Sequence, residues 1–430
     1  LNGFLTDIYQ LTMAAGYFAA GKKDETATFE LTIRRLPRNR RFVLLAGLQR
    51  AVEYLLNISF SAAEIAWLRS LDTFRNAPAE FWDYLADFRF TGDVFAVPEG
   101  TVLYAGQPLM NIRAPLIEAQ IPETYLLSAI TFEILIATKA ALIVHEAQGR
   151  DVIEFGSRRA HAPEAAVLGG RAAYIGGCVG TSNVLAGYRF GIPVMGTAAH
   201  SWVLSFESEE ESFLAMQRLL GNRAVHLIDT WDPIEGAGAA ARTGRPLWGV
   251  RIDSGDMASD ARKVRHILDQ AGLTEAKIMA SGDLDESKIA VIVGSGAPID
   301  AFGVGTELAT SGDAPSMGTV YKLVEIERGG KTRYTAKNSP DKRTLPGAKQ
   351  LFRYPEYDLL ALHTECAAGA EALLKPVIIG GKLVEPLPTA AEIRERARAA
   401  LTPWPSPSRH TGHSKLLKKL AEEMRPAVPA

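Results

Sequence analysis

DVIEFGSRRAHAPEA at 151–165 and GYRFGIPVMGTAAHSWVLSF at 187–206 decide how the chain is read. In each, a short apolar run, Val152 to Phe155 and Ile192 to Met195, stops at a glycine and hands over to groups able to bind phosphate. The first run is followed by Ser157, Arg158 and Arg159, the second by Thr197, His200 and Ser201. A buried strand that ends at glycine and then presents Arg or His is how an α/β enzyme places reactive groups at the carboxyl edge of its sheet.

The same rhythm continues to Glu307. Helices are expected after Pro163 and Glu207, then strand Leu247 to Ile252, helix Ser259 to Ala271, strand Lys277 to Ala280, helix Asp285 to Val293 and strand Ile299 to Val304. Ser259 reads as an N-cap and Gly272 as the stop of its helix. Such alternation implies a parallel sheet. We expect it to form a barrel, because functional groups end nearly every strand: Arg158, His200, Asp253, Asp283 and the glycines of FGVGTE.

Upstream, 5–20 has helical spacing, exposes Tyr9 and stops at Gly21. A strand to Ile33 then runs into Arg34, Arg35, Arg38, Arg40 and Arg41 around Pro37. Two readings stand for these arginines, a solvated hairpin tip or an anion clamp built of guanidinium forks. Residues 58–90 read as core helices rich in Trp and Phe, and 90–115 as a small antiparallel β unit. A long helix, Pro122 to Val144, follows, with Glu133 and Lys139 expected to face water.

Composition bounds the function. With 430 residues, 47% of them hydrophobic, the chain can form about two or three domains with real cores. A formal net charge of −2 gives no bulk attraction to nucleic acid or anionic membrane, so an anion site must be a local cluster. Cys178 and Cys366 fit neither a disulfide framework nor a zinc site, which suits a reducing cytoplasm. No basic leader precedes the first helix, and no run is read as approaching the ~20 apolar residues of a spanning helix. Neither secretion nor membrane insertion is expected.

Individual motifs carry chemistry. In GVRIDSGD at 249–256, Arg251 and Asp253 alternate along a strand end and share a face. Asp253 could accept sugar hydroxyls, hold Mg²⁺ through water, or simply cap the next turn. SGDLDE at 281–286 repeats the Ser-Gly-Asp pattern, with Gly282 and Asp283. Gly303, Gly305 and Thr306 form a loop whose N–H groups could approach phosphate, though not a dinucleotide fingerprint. His200 lies among Gly196, Thr197, Ala198, Ala199 and Ser201, which leave room for a ligand; the residues alone read equally as a core histidine or a base or nucleophile.

TDIYQLTM at 6–13, FGSRRAHAPEA at 155–165, GTSN at 180–183, GTAAHSW at 196–202, RIDSGD at 251–256, SGDLDE and FGVGTE, in this order, resemble the nicotinate phosphoribosyltransferase family. DAPSMGTVYKLVE and the spaced Lys342, Thr344, Pro346, Gly347, Lys349 and Arg353 are similar to the same family. The chain begins just ahead of the first motif, so further residues are expected before it. SPDKRTLPGAKQ at 339–350 departs from the family's usual run, leaving that loop's phosphate role open.

The resemblance implies an irregular, incomplete α/β barrel of the type II phosphoribosyltransferases, plus an α+β domain built from both chain ends. The domains are expected at 1–121, 122–320 and 321–430, the last returning to the α+β domain and ending in a Pro-rich and helical tail. It implies nicotinate and phosphoribosyl pyrophosphate as substrates, nicotinate mononucleotide and pyrophosphate as products, Mg²⁺ and a cytoplasmic homodimer with shared active sites. ATP hydrolysis would be coupled through phosphorylated His200. Phe155 would stack on the pyridine, covered on its other face by Tyr9 of the partner subunit. Arg158 would hold phosphate or carboxylate, and Ser182 would sit by the carboxylate. Asp253, Arg251, Asp283 and Gly282 would address the ribose and Gly303, Gly305 and Thr306 its 5′-phosphate. Arg34, Lys322 and Lys337 would contact phosphate or pyrophosphate, and Mg²⁺ would ride on phosphates, with Asp253 or Asp283 able to share it.

Four competing readings stand beside this one. Relatives that use nicotinamide carry an acid at the Ser182 position, where it would repel nicotinate's carboxylate. Quinolinate enzymes are shorter and lack the GTAAHSW histidine. A phosphosugar aldolase or isomerase would need a Schiff-base Lys or a Glu/His pair at the strand ends, and a barrel that only binds nucleotide would carry broken motifs. The tail from Pro403, including His410 and His413, is assigned no function.

Overall fold

The structure, a computed structural model, describes residues 3–339, 342–406 and 409–424. Pro340 and Asp341 of the SPDKRTLPGAKQ run lie outside the described residues. Two compact units are formed, Leu135–Pro315 with Thr389–Arg398, and Leu1–Ile134 with Ser316–Pro388 and Ala399–Ala430.

The first unit is built on six parallel strands: β1 (Asp151–Glu154), β2 (Gly180–Thr181), β3 (Val225–Leu227), β4 (Gly249–Ile252), β5 (Lys277–Ser281) and β6 (Ala301–Val304). They hydrogen-bond in the order β2-β1-β6-β5-β4-β3. The last strand returns to the first, with Ala301 to Val304 in register with Asp151 to Glu154. Sequential neighbours plus that return make a barrel connectivity with one open seam, between β2 and β3. Val250, Ile252, Ile278, Ala280, Phe302 and Val304 are wholly buried, as strands covered on both faces require. The connecting helices are α1 (Pro163–Ile175), α2 (Val184–Phe190), α3 (His200–Leu204), α4 (Glu209–Leu220), α5 (Pro233–Thr243), α6 (Met257–Gln270), α7 (Glu286–Gly294) and α8 (Thr306–Thr310).

The seam corrects one expectation. Ile192 to Met195 forms no strand; only a single bridge joins Val194 to Thr181. Pro193 has no N–H to give a ladder, and Val194 and Met195 are exposed. The strand and helix at β3 and α5 were not anticipated, although Asp232 caps α5 with Pro233 at its first turn. The cap of α6 is Asp256, which accepts from the Ser259 N–H at 3.1 Å, so Ser259 is not the capping residue.

The helix Glu123–Glu146 corrects two more. The stretch Leu116–Glu146 is long and apolar enough to cross a membrane, yet 67% of its most apolar window is buried within the protein. An apolar helix covered on most sides is a core helix here. Glu133 and Lys139 do not face water: both are buried. The Lys139 ammonium lies 2.6 Å from Glu286 at the start of α7 and 2.9 Å from Asp313 beyond α8.

In the second unit a seven-stranded antiparallel sheet holds Thr26–Arg35 between Gly318–Arg328 on one side and the central strand Pro108–Pro115 on the other. Segments from both chain ends thus form one α+β unit. Of the arginine cluster, Arg40 is buried, Arg34 is half-buried, and Arg35, Arg38 and Arg41 are exposed, so neither single reading describes it. Lys349 pairs with buried Glu30 at 3.2 Å and Arg353 with buried Asp358 at 3.0 Å, committing both to internal carboxylates. The tail supplies strand His410–His413, parallel to Tyr357–Leu362, and helix Lys415–Glu423.

Removing one partner of a buried ion pair costs several kcal/mol, and partners about one-fifth exposed recover part of that by hydration, so Lys139→Met should cost about 2–3 kcal/mol. Urea denaturation checks this as a lowered midpoint at unchanged slope.

Candidate active site

The carboxyl ends of β3, β4 and β5 converge on one hydrogen-bonded network. Arg251, in β4, donates from Nε to Ser281 Oγ (2.7 Å), from Nη1 to Thr197 Oγ1 (2.7 Å) and the Ala198 carbonyl (3.2 Å), and from Nη2 to Asp253 Oδ1 (2.6 Å). One guanidinium therefore fastens the loop carrying His200 to the strand carrying Asp253. Ser281 Oγ, while accepting from Arg251, donates to Asp253 Oδ1 at 2.5 Å. Burial alone would raise the Asp253 pKa, but the Ser281 hydroxyl and the Arg251 charge more than offset it and hold the carboxyl below its ordinary value.

Behind this network stands Asp229, just after β3. Its Oδ2 accepts from the Asp253 N–H (2.9 Å) and the Ser254 hydroxyl (2.7 Å). Next to it, Thr230 Oγ1 lies 3.2 Å from His200 Nδ1, and the other imidazole nitrogen is 3.7 Å from Asp253 Oδ2. The His200 side chain keeps 42% of its surface open. It is not a sealed core histidine. A base or phosphoryl acceptor needs one nitrogen oriented and room before the ring, and both are present.

Beside the network is a cavity of about 230 Å³ lined by Phe155, Arg158, Arg159, Arg251, Asp253, Ser281, Gly282, Asp283, Gly303, Gly305 and Thr306. The Arg251 guanidinium carbon sits 5.6 Å from the Phe155 ring centroid, a cation–π contact that steadies the ring. A Cβ on Gly303 would fall 2.5 Å from the Phe155 ring, so that glycine makes room for the aromatic wall. Gly282 has φ +91°, and a Cβ there would fall 1.9 Å from the Asp253 carbonyl. Asp283 follows at φ +47°, a strained position for a side-chain-bearing residue and one that turns Asp283 outward, exposed.

The sequence-derived set is thus split. Phe155, Arg158, Arg251, Asp253, Gly282, Asp283, Gly303, Gly305 and Thr306 share one cavity. His200 joins it through Asp253, whereas Ser182 is not among its lining residues and stands half-buried on the neighbouring β2 loop. Tyr9, Arg34, Lys322 and Lys337 belong to the other unit. There Tyr9 and Lys337 are exposed, and Lys322 lies 3.6 Å from Glu123. Asp229, Thr230 and Ser281 were not singled out from the sequence. The signal for the first two is slight, VHLI at 225–228 being a short run, interrupted by His226, that hands over to Asp-Thr.

Among the described residues no group of three or more His, Cys, Asp or Glu side chains is placed to hold a metal. Asp253 Oδ1 is already engaged by Arg251 and Ser281. The donor set does not fit an all-protein magnesium cage.

Two family models match the chain, the nicotinate phosphoribosyltransferase N-terminal domain over residues 4–131 and the nicotinate phosphoribosyltransferase family over 151–344. A nicotinate phosphoribosyltransferase of Mycobacterium tuberculosis is 39% identical, over 96% of this chain and 90% of the relative. The chain belongs to the nicotinate phosphoribosyltransferase family. The human nicotinate phosphoribosyltransferase is 32% identical over 93% of this chain and 90% of its own length. Its crystal structure superimposes with a TM-score of 0.84, covering 98% of this chain and 100% of that one. A nicotinate-nucleotide pyrophosphorylase from Pyrococcus furiosus superimposes with a TM-score of 0.77 at 27% identity, covering 94% and 95%. The irregular α/β barrel with its α+β companion is the architecture of this family.

A 1 Å misplacement of a reacting group can cost roughly 10² in rate. Asp229→Ala should therefore lower kcat for the reaction that names the family by roughly 10². Asp229→Asn, which keeps an acceptor for Asp253 N–H and Ser254, should retain most of it. Steady-state assays on variants with wild-type circular dichroism check both.

Proposed function

We infer that the chain joins nicotinate to phosphoribosyl pyrophosphate, giving nicotinate mononucleotide and pyrophosphate for pyridine-nucleotide salvage toward NAD. One observation carries this reading beyond family membership. The aromatic wall of Phe155, the guanidinium groups of Arg158 and Arg159, the acids Asp253 and Asp283 and the Gly303–Thr306 loop line one cavity. A pyridine ring, its acid group, ribose hydroxyls and a 5′-phosphate need those four kinds of partner. The pyridine nitrogen attacks the anomeric carbon as the bond to pyrophosphate breaks. The sugar becomes oxocarbenium-like on the way, and ionised Asp253 would offset that charge. Phe155 would fix the ring's approach, so that the nitrogen and the anomeric carbon are held in line for attack. Arg34, Lys322 and Lys337 would attend the phosphates.

ATP coupling is proposed through phosphorylation of His200. The Nδ1 contact to Thr230 and the open side chain support it. A phosphorylated side chain gains about two negative charges and three acceptor oxygens, which would reorganise Arg251 and its partners before substrate enters. Mg²⁺ would arrive on the substrate's diphosphate and neutralise charge on it, rather than occupy a protein cage. A homodimer is supported by α2, next to the Ser182 loop, where Val184 is 73% and Tyr188 87% exposed with Leu185 beside them. Exposed Tyr9 would close the pyridine pocket of the partner subunit. Unpaired Cys178 and Cys366 support a reducing, cytoplasmic setting.

Pyrophosphate release is to be measured with nicotinate, nicotinamide and quinolinate in turn, each with and without ATP. Nicotinate is expected to be the substrate, with ATP raising the rate. Release with nicotinamide alone would replace the acid by the amide, as an acid at the Ser182 position would have suggested. His200→Ala should keep a slow ATP-independent transfer and lose coupled ATP hydrolysis; coupling that survives this change removes His200 from the role.

A further inference from the structure

Glu154 ends β1 with 2% of its surface exposed, immediately before Phe155. Its carboxylate has two donors and neither is a cation: the Gly156 N–H to Oε1 and the Thr181 hydroxyl to Oε2 at 2.5 Å. Its own carbonyl accepts from the Ser182 N–H at 2.9 Å. The Thr181 oxygen in turn accepts from the Asn183 N–H (3.0 Å), while Asn183 Nδ2 donates to Ser157 Oγ (3.1 Å). A closed circuit thus runs from the loop bearing Phe155, Ser157 and Arg158 to the loop bearing Ser182 and back. Gly156 is wedged between this circuit and α8, since a Cβ there would fall 2.9 Å from Glu154 Oε1, 2.3 Å from Ala309 Cβ and 2.7 Å from the Gly305 carbonyl.

A buried carboxylate without a cation is costly, and burial pushes the Glu154 pKa up against the two hydrogen bonds that hold it down. An apolar residue at a strand end would be cheaper if stability were the only use. We propose that Glu154 is the positioning residue of the pyridine pocket, setting the Phe155–Arg158 loop and the Ser182 loop at the separation that admits nicotinate. This rests on the functional reading above and deepens it, because Ser182 does not line the cavity that Phe155 and Arg158 share and must be brought to the ring by its loop. Glu154 touches no substrate. It acts through Thr181 and Gly156.

The test is isothermal titration of the full chain with nicotinate and, separately, with phosphoribosyl pyrophosphate, alongside KM and kcat for each. Loss of one or two buried hydrogen bonds should weaken nicotinate binding about tenfold in Glu154→Ala and Thr181→Val, with the Kd for phosphoribosyl pyrophosphate within about twofold. Glu154→Gln can keep its oxygen toward Gly156 and turn its amide toward the Thr181 oxygen, so it should restore nicotinate affinity to within about threefold. Thr181→Val preserves shape and carries the test if Glu154→Ala fails to fold. Unchanged nicotinate affinity in Thr181→Val, or phosphoribosyl pyrophosphate affinity falling in step, overturns the proposal. Nicotinate bound by the wild-type protein without turnover overturns the functional reading but leaves these titrations to decide on Glu154; no nicotinate binding by the wild type overturns both.

Discussion

The pairing of β6 with β1 is the constraint on which the rest of the catalytic unit depends. Four residues of each strand, Ala301 to Val304 and Asp151 to Glu154, meet in parallel register. That return brings the glycine loop after β6 to the Phe155 loop after β1, although about 150 residues separate them in the chain. Gly303 then stands against the Phe155 ring, and Gly305 against the Phe155 backbone. Without that closure, the Gly303–Thr306 loop and the aromatic wall would be ends of an open sheet.

The same closure explains where the ring stays open. With β1 paired to β6 on one side and to the two-residue β2 on the other, the chain from Ser182 to Ala224 adds no strand to the sheet, only the single Val194–Thr181 bridge. The seam is where His200 lies. Its loop has no strand to hold it, and Arg251 holds it instead through Thr197 and the Ala198 carbonyl. An arginine that the family resemblance assigns to the ribose is therefore, in this structure, the tie between the ends of β4 and β5 and the loop that carries His200, and Asp253 owes its lowered pKa partly to that tie. Positioning and electrostatics are supplied by one guanidinium.

Much of the fold was legible because periodicity and punctuation are local. Helices starting at Pro163, Glu286 and Glu209, and strands ending at Ile252, Ser281 and Val304, follow from apolar runs, caps and glycines within a dozen residues. Errors arose where local signals met tertiary facts. Ile192 to Met195 is apolar enough for a strand but carries Pro193 and finds no second neighbour. Glu133 and Lys139 looked like the wet face of a helix, yet the helix is covered, and Lys139 is neutralised by acids more than 140 residues away in sequence. Asp229 follows a strand of only three residues, too short a pattern to announce its end.

The sequence by itself determined the chemistry on offer: which strand ends carry Arg, His, Asp or paired glycines, and through ordered motifs the family to which they belong. Those are properties of residue type and spacing, and they survive without coordinates. Only the tertiary structure decided how the groups divide their labour. Hydrogen bonds between residues far apart in the chain commit Arg251 to the scaffold, leave His200 open, place Asp229 behind Asp253 and bury Glu154 between two loops. The physical reason is that a side chain's function depends on which of its donors and acceptors are already satisfied, and that is settled only when distant strand ends meet.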